Sequence, residues 1–268
     1  MISPGSELAG FLVEPIHRFQ FRMNLEKNKL IVALDVDTAA EARRLVSVLR
    51  GVVGMFKIGS QLFTAAGPAL VRKIVKAGDR VFLDLKFHDI PNTVAAAGME
   101  ATRLGVSIFN VHAAGGGEMM RRTAHAVATT AEAEGLTPPA IIAVTVLTSA
   151  DESTLAEVGF NLTPADLVRQ LALLAASSGL DGVVASPREI GIVREAVNKS
   201  GFLIVTPGVR PGGAALDDQA RVTTPREAMA AGADYLVVGR PILEAPNPAR
   251  AAQQIVGEME SGVAKSFS

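Results

Sequence analysis

From residue 30 onward, short apolar segments rich in β-branched residues alternate with longer, Ala-rich helical segments. Strands are predicted to begin near residues 30, 55, 81, 107, 140, 182, 202 and 235, and each is followed by a predicted helix. The fifth strand is predicted to end at residue 147, and the helices after the second and sixth strands are predicted over residues 60–77 and 187–198. These strands are almost continuously apolar, which is typical of a parallel sheet that is buried on both faces. About eight β–α units in succession predict an α/β fold, a single (β/α)8 TIM barrel with its active site at the C-terminal ends of the strands.

A doubly wound open sheet would show the same alternation of strands and helices. However, no Gly-x-Gly-x-x-Gly segment follows the first predicted strand, residues 30–36, so the sequence favours the barrel. No Pro/Ser-rich linker interrupts residues 29–268, which are predicted to form one catalytic domain. Residues 1–28 are predicted to be an N-terminal extension outside the fold, and Met23 is a candidate for the natural start.

Composition excludes several classes of protein. Hydrophobic residues make up 49% and charged residues 20% of the chain, a balance typical of a well-packed soluble enzyme. The net charge of −1 and the lack of a long basic run give no support for a nucleic-acid partner, and no apolar run approaches the ~20 residues of a membrane span. The chain has no cysteine, which excludes disulfides and thiolate chemistry and fits a cytoplasmic protein.

The third predicted strand carries an unusual group of charges. It begins as the apolar segment Val81-Phe82-Leu83 and then places Asp84, Lys86 and Asp89 within six residues. Asp84 and Lys86 are two residues apart, so a strand directs both side chains to the same face. Charges at the end of an apolar strand are costly to bury. This cluster is therefore the leading candidate for a functional site.

Other polar residues fall at the predicted C-terminal ends of the remaining strands. In a (β/α)8 barrel these ends converge on one mouth, where the active sites of such barrels lie. The residues expected there, besides the cluster on the third strand, are Asp35, Asp37, Lys57, Asn110, His112, Thr145, Thr148, Ser149, Arg210 and Arg240.

Two glycine- and arginine-containing loops follow the seventh and eighth strands. They contain Gly208 with Arg210, and Gly239 with Arg240. Loops at these positions often hold a phosphate through bare backbone N–H groups, and a guanidinium group matches phosphate oxygens. The alternative is that the glycines only form tight turns and that the arginines are solvated. The pattern favours a phosphate-binding site.

Lys57, Asp84, Lys86 and Asp89 can form an array of alternating charges. Mutual attraction favours the charged form of each member in a partly dry site. A fixed ammonium beside a carboxylate suits a reaction in which a carbanion develops and is then protonated. A structural ion-pair network at the rim of the barrel is the alternative. No histidine pair has the spacing of metal ligands, so no metal site is expected.

Six segments resemble the bacterial orotidine 5′-phosphate decarboxylases, in the same order and from about Leu30 to Ile255. The most specific is the Asp-Leu-Lys-Phe-His-Asp-Ile-Pro-Asn-Thr block, Asp84 to Thr93. The others are Ala33-Leu34-Asp35-Val36-Asp37, Phe56-Lys57-Ile58-Gly59, Val146-Leu147-Thr148-Ser149, Thr206-Pro207-Gly208-Val209-Arg210 and Val238-Gly239-Arg240-Pro241.

The resemblance implies a catalytic set of four residues. Lys86 would protonate C6 of the pyrimidine after carbon dioxide leaves, and Asp84 would lie against the departing carboxylate. Lys57 would belong to the charged array. Asp89 would complete that array from the neighbouring subunit of a homodimer with shared active sites.

The resemblance also implies a set of residues that bind orotidine 5′-phosphate, without any metal or organic cofactor. Asp35 would hydrogen-bond the ribose hydroxyls with Lys57 beside it, and Thr93 would lie near the ribose. Thr148 or its neighbour Ser149 would contact the pyrimidine edge. The phosphate would be held by Arg210, Gly239 and Arg240, with Gln219 reaching both phosphate and base.

Two other functions remain as alternatives. A metal-dependent sugar-phosphate decarboxylase or synthase of the same barrel group shares the Asp-x-Lys-x-x-Asp pattern. In those relatives, a magnesium-binding Glu is expected at the position of Lys57, where a lysine would repel a divalent cation. A non-catalytic barrel that binds a phosphorylated ligand would not need the proton donor that Lys86 provides.

Overall fold

The computed structural model describes residues 26–212 and 223–263. Within these ranges, eight parallel strands pair in chain order into a closed barrel, in which the first strand also pairs with the last. The strands are β1 (Leu30–Ala33), β2 (Met55–Gly59), β3 (Val81–Phe87), β4 (Ile108–His112), β5 (Ala140–Val144), β6 (Gly182–Val184), β7 (Leu203–Pro207) and β8 (Tyr235–Val238). The predicted (β/α)8 barrel is confirmed.

Helices follow the strands and cover the barrel. They are α1 (Ala39–Leu49), α2 (Ser60–Lys76), α3 (Pro91–Arg103), α4 (Gly116–Glu134), α5 (Glu152–Glu157), α6 (Pro164–Ser177), α7 (Ile190–Ala196), α8 (Pro225–Ala230), α9 (Arg240–Leu243) and α10 (Pro248–Val263). Several begin at hydroxyl or carboxylate caps that satisfy free N–H groups of the first turn. Thr224, for example, forms a complete capping box with Glu227 at the start of α8.

Apolar side chains form two separate cores because successive residues of a strand point to opposite faces. The larger core lies between the strands and the helices and includes Val32 and Phe56. The smaller core fills the barrel interior with Ile31, Ala33, Met55, Phe82, Ile108, Ile142, Val205 and Val237. A residue two positions further along a strand than a member of this inner core therefore lies on the inner face, nearer to the barrel mouth.

Two predicted strands end three residues earlier in the structure. The first ends at Ala33 rather than residue 36, and the fifth ends at Val144 rather than residue 147. The ladder between β1 and β2 stops at the pair Ala33 and Lys57. The apolar residues that follow, such as Val146, leave the sheet and contribute to the mouth, which sequence patterning cannot distinguish from strand continuation.

The helix predicted over residues 60–77 is not continuous. Gly67 within α2 has a left-handed φ of 63°, and Pro68 follows it. Glycine tolerates this conformation, and proline cannot donate the backbone hydrogen bond that would continue the first segment. The helix predicted over 187–198 is also shorter, Ile190–Ala196, and the short helix α9 after β8 was not predicted.

Packing against the barrel begins before residue 29. Glu26 is buried and pairs with Lys29, and a side chain at Gly54 would collide with the backbone of Asn28. The rest of the predicted N-terminal extension, residues 1–25, lies outside the described residues, as does Gln219. Among the described helices, none combines the length and apolarity needed to cross a membrane.

Candidate active site

A cavity opens at the C-terminal ends of the strands, as the barrel prediction requires. Its floor includes Phe82 and Val205 of the inner core. It brings together most of the site residues predicted from the sequence, namely Asp35, Lys57, Asp84, Lys86, Thr148, Arg210, Gly239 and Arg240.

The strands β2 and β3 supply a chain of alternating charges. Lys57 Nζ lies 3.2 Å from Asp35 Oδ1 and 3.2 Å from Asp84 Oδ2. Lys86 Nζ lies 2.5 Å from Asp84 Oδ1. The inner face of β2 thus changes from Met55 to Lys57 within two residues. The charged groups therefore lie next to the inner core.

Asp84 lies between Lys57 and Lys86 in this row of alternating charges and is almost buried, with 9% of its surface exposed. Burial tends to raise the pKa of the Asp84 carboxyl, but the charge of Lys57 and the hydrogen bonds from Lys86 and Asn110 outweigh it. The pKa therefore lies below its ordinary value. The carboxylate is ionised at neutral pH and keeps both ammonium groups in place.

The backbone of β3 is distorted at Lys86. Its φ is 52°, the one positive φ among the described non-glycine residues. The pairing of β3 with β4 shifts register between Leu83 and Phe87, so Lys86 does not continue a regular strand. The two side chains predicted to lie side by side, Asp84 and Lys86, do contact each other, but through this distortion rather than simple alternation.

The sequence predicts Asn110 of β4 at the mouth, without indicating a role for it. It is 1% exposed. Its Oδ1 accepts a hydrogen bond from the Lys86 backbone N–H at 2.8 Å, and its Nδ2 donates to Asp84 Oδ1 at 2.7 Å. The sequence signal for such a role is the spacing, because Asn110 lies two residues beyond Ile108 and therefore on the same inner face of β4.

The opposite side of the mouth is built by the loops after β7 and β8. Gly208 has a left-handed φ of 79°, which glycine adopts without strain, and Arg210 follows two residues later. Gly239 lies close to Asp35 and caps α9, which begins at the exposed Arg240. Both guanidinium groups thus border the same cavity as the charged array.

Two predicted site residues do not line the cavity of their own chain. Asp89 is exposed, and its carboxylate accepts a hydrogen bond from the Ile90 N–H at 2.6 Å. Thr93 is also exposed, in the first turn of α3. Of the two candidates for the pyrimidine edge, Thr148 lines the cavity and Ser149 does not.

Two histidines lie beside the charged array. The rings of His88 and His112 are 5.4 Å apart between centroids. Burial, together with the charges of His88 and Lys86, lowers the pKa of His112. Across residues 26–212 and 223–263, no three His, Asp or Glu side chains are grouped so that they could hold a metal ion.

Comparison with known proteins gives a consistent result. Residues 28–255 match the model of the orotidine 5′-phosphate decarboxylase / HUMPS family. The chain is 56% identical to the orotidine 5′-phosphate decarboxylase of Geotalea daltonii, over 87% of this chain and 97% of that protein. It is 55% identical to the Moorella thermoacetica protein of the same name, over 87% of this chain and 93% of that protein.

A solved structure shares this architecture. The orotidine 5′-phosphate decarboxylase from Lactobacillus acidophilus superposes with a TM-score of 0.76 at 37% identity, over 86% of this chain and 98% of that one. The similarity therefore extends over the whole barrel rather than one motif. The chain belongs to the orotidine 5′-phosphate decarboxylase / HUMPS family.

Proposed function

We propose that this protein is a carboxy-lyase that converts orotidine 5′-phosphate into uridine 5′-phosphate and carbon dioxide in pyrimidine biosynthesis. The family membership and the names of its relatives support this reaction. The observation that carries the mechanism is the continuous contact chain Asp35–Lys57–Asp84–Lys86 at the barrel mouth. De novo synthesis in the cytoplasm is the predicted setting.

The reaction breaks the bond between C6 of the pyrimidine and the carboxylate carbon. The electron pair stays on C6 in an orbital that is not conjugated with the ring, so the developing anion needs external stabilisation. The Lys86 ammonium is held in place before the substrate arrives, because Asp84 binds it. It stabilises the anion without reorganisation of water and then transfers a proton to C6. Solvent returns the proton to Lys86.

Asp84 has two roles in this mechanism. Its carboxylate orients Lys86, and its negative charge would lie against the carboxylate of the bound substrate. Repulsion between the two carboxylates would be relieved as carbon dioxide leaves. The lowered pKa of Asp84 supports this role, since the carboxylate is charged at neutral pH.

No metal is required in this proposal. Lys57 Nζ lies 3.2 Å from both Asp35 and Asp84, so an ammonium occupies the space between two carboxylates where a divalent cation could otherwise bind. This arrangement disfavours the metal-dependent sugar-phosphate decarboxylases and synthases. Full activity after EDTA treatment is expected, and activity lost with EDTA and restored by magnesium would contradict the proposal.

The substrate is proposed to span the cavity from the charged array to the arginine loops. Asp35 would bind the ribose hydroxyls, Thr148 the pyrimidine edge, and Arg210, Gly239 and Arg240 the phosphate. Gln219, which lies outside the described residues, would reach both phosphate and base. Binding energy from the remote phosphate would hold the base against Lys86. The position of both guanidinium groups at the cavity supports this orientation.

A homodimer with shared sites is also proposed. Asp89 and Thr93 are exposed on their own chain, beside Ile90, which is 66% exposed. An exposed apolar residue between two predicted site residues supports contact with a second copy, in which Asp89 would complete the array. In that arrangement one chain supplies Lys86 and its partner supplies Asp89.

Mixing two inactive variants tests this arrangement. A dimer of one Lys86→Ala chain and one Asp89→Ala chain would contain one intact site and one site with both defects. Random reassortment should therefore restore about a quarter of the wild-type activity, because half of the dimers are hybrids with one working site each. A mixture that stays inactive, although native mass spectrometry shows hybrids, would contradict shared sites.

A direct assay tests the reaction itself. The purified protein should deplete orotidine 5′-phosphate, followed by its ultraviolet absorbance, and release one equivalent each of carbon dioxide and uridine 5′-phosphate. A non-catalytic barrel would bind both nucleotides without turnover. Such a result would refute the decarboxylase proposal.

A further inference from the structure

Asn110 is a buried amide that makes two hydrogen bonds to the centre of the charged array but does not line the cavity. One bond fixes the backbone of Lys86, and the other fixes the carboxylate of Asp84. The orientation of the amide is determined, because only its oxygen can accept from the Lys86 N–H. Its NH2 group therefore faces Asp84.

The Lys86 backbone needs such a partner. Its φ of 52° is unfavourable for a residue with a side chain, and the β3–β4 ladder is irregular there. The hydrogen bond to Asn110 supplies the pairing that the regular ladder does not. This conformation in turn brings Lys86 Nζ to 2.5 Å from Asp84 Oδ1, the same oxygen that Asn110 binds.

We infer that Asn110 is a positioning residue, which holds Lys86 in its left-handed conformation and aligns the Lys86 ammonium with Asp84 for proton transfer. This inference rests on the proposed decarboxylation. An amide is suited to the position because it accepts and donates at once. Leucine can do neither, and an ionised carboxyl can only accept.

Asn110→Leu should lower kcat by about 10²-fold, since small displacements of a reacting group cost that much. The KM for orotidine 5′-phosphate should change less than about threefold, because Asn110 does not border the cavity and the phosphate side is untouched. A kcat within threefold of wild type would overturn the inference. So would a fall in kcat/KM caused by KM alone.

Asn110→Asp provides a rescue that depends on pH. When the introduced carboxyl is protonated, its O–H can donate to Asp84 while its carbonyl accepts from the Lys86 N–H, as the amide does. When ionised, it repels Asp84 instead. Burial and the nearby carboxylate raise the pKa of the introduced group. We expect kcat near wild type at about pH 5 and at least about tenfold lower at pH 8.

Other groups near Asp84 must be separated from this effect. Lys57 from β2, Lys86 from β3 and His112 from β4 all interact with Asp84. They are present in the wild type and in both variants, so the ratio of variant to wild-type kcat reports the introduced carboxyl. A ratio for Asn110→Asp that does not change with pH would overturn the inference.

A matched control removes a buried hydrogen bond elsewhere. Thr102 in α3 is 1% exposed and donates to the Gly98 carbonyl at 2.9 Å. Thr102→Val should lower the thermal midpoint without changing kcat or its pH profile. A comparable loss of kcat in this control would show that Asn110 acts through general stability, and would overturn the inference.

The crystal structure of Asn110→Leu decides the point without any assay. Lys86 should return to a negative φ, and its Nζ should move away from Asp84. An unchanged Lys86 conformation would overturn the inference whatever the substrate. Absence of turnover in the wild type, by contrast, would refute only the proposed reaction.

Discussion

The two sides of the barrel mouth are organised differently. On the β2–β4 side, Lys57, Asp84, Lys86 and Asn110 contact one another directly. On the β7–β8 side, the guanidinium groups of Arg210 and Arg240 make no side-chain hydrogen bond or ion pair with other described residues. One side is held together by its own contacts, and the other presents guanidinium donors that no side chain within residues 26–212 and 223–263 occupies.

This difference matches the two tasks of the proposed reaction. A group that stabilises a short-lived anion must be in place beforehand, because reorganisation during the reaction would add to the barrier. A group that captures a phosphate only needs unpaired donors that the ligand can occupy. Substitutions on the first side should therefore affect kcat, and those on the second side should affect KM.

Lys86→Ala should have the largest effect. We expect kcat to fall by at least about 10⁴-fold, since one ammonium supplies both proton transfer and electrostatic stabilisation. The measurement is turnover of orotidine 5′-phosphate, with circular dichroism to verify folding. Lys73→Ala on the exposed face of α2 is the control and should retain activity. Substantial residual turnover by Lys86→Ala would refute the mechanism.

Arg240→Ala should raise KM by about 10–100-fold while kcat changes far less. Loss of charge-assisted hydrogen bonds of ~1.5–3 kcal/mol has this effect on binding. The affinity for uridine 5′-phosphate, measured by calorimetry, should fall in parallel. Arg72→Ala, an exposed arginine of α2, is the control. If Arg240→Ala changed kcat alone, the division between the two sides would not hold.

Thr148→Val tests the position between the two sides. We expect up to about a tenfold loss in kcat/KM, because one neutral hydrogen bond contributes ~0.5–1.5 kcal/mol. Ser149→Ala should change kcat/KM less than twofold, since Ser149 does not line the cavity. The opposite ranking of the two variants would assign the pyrimidine contact to Ser149.

His112 should affect the pH dependence of stability. Its pKa is lowered in the folded state, so the unfolded chain binds more protons below the ordinary value of 6.5. The free energy of unfolding of the wild type should therefore fall as the pH drops below 6.5. Denaturant titrations of His112→Asn should show a flatter dependence in that window, whereas the exposed His125→Asn should follow the wild type.

The barrel was predictable because each strand and helix leaves a local signature. Eight apolar segments alternating with helical ones fix the count, and parallel pairing then fixes where strand ends meet. The contact of Lys57 with Asp84 followed from that geometry. The contact of Asp84 with Lys86 was also predicted, but it is made through the distorted backbone at Lys86 rather than through regular alternation. The interruption of α2 at Gly67, by contrast, could not be predicted, since a glycine within a helical pattern does not by itself indicate a positive φ.

The role of Asn110 and the conformation of Lys86 were beyond the sequence for a different reason. Both depend on the register of β3 against β4, which shifts after Leu83. Strand patterns give the direction of each side chain but not an irregularity in pairing. The role of Asp89 could be predicted by resemblance alone, because Asp89 is predicted to complete the charged array of a second chain.

The alternation of the inner face also limits how this sequence can change by insertion or deletion. Removing one residue within β2 would direct Phe56 or Ile58 into the mouth and press Lys57 against the helices. The same event would abolish the charged array and bury an unpaired ammonium in the outer core. Length changes inside these strands should therefore impair folding as well as activity.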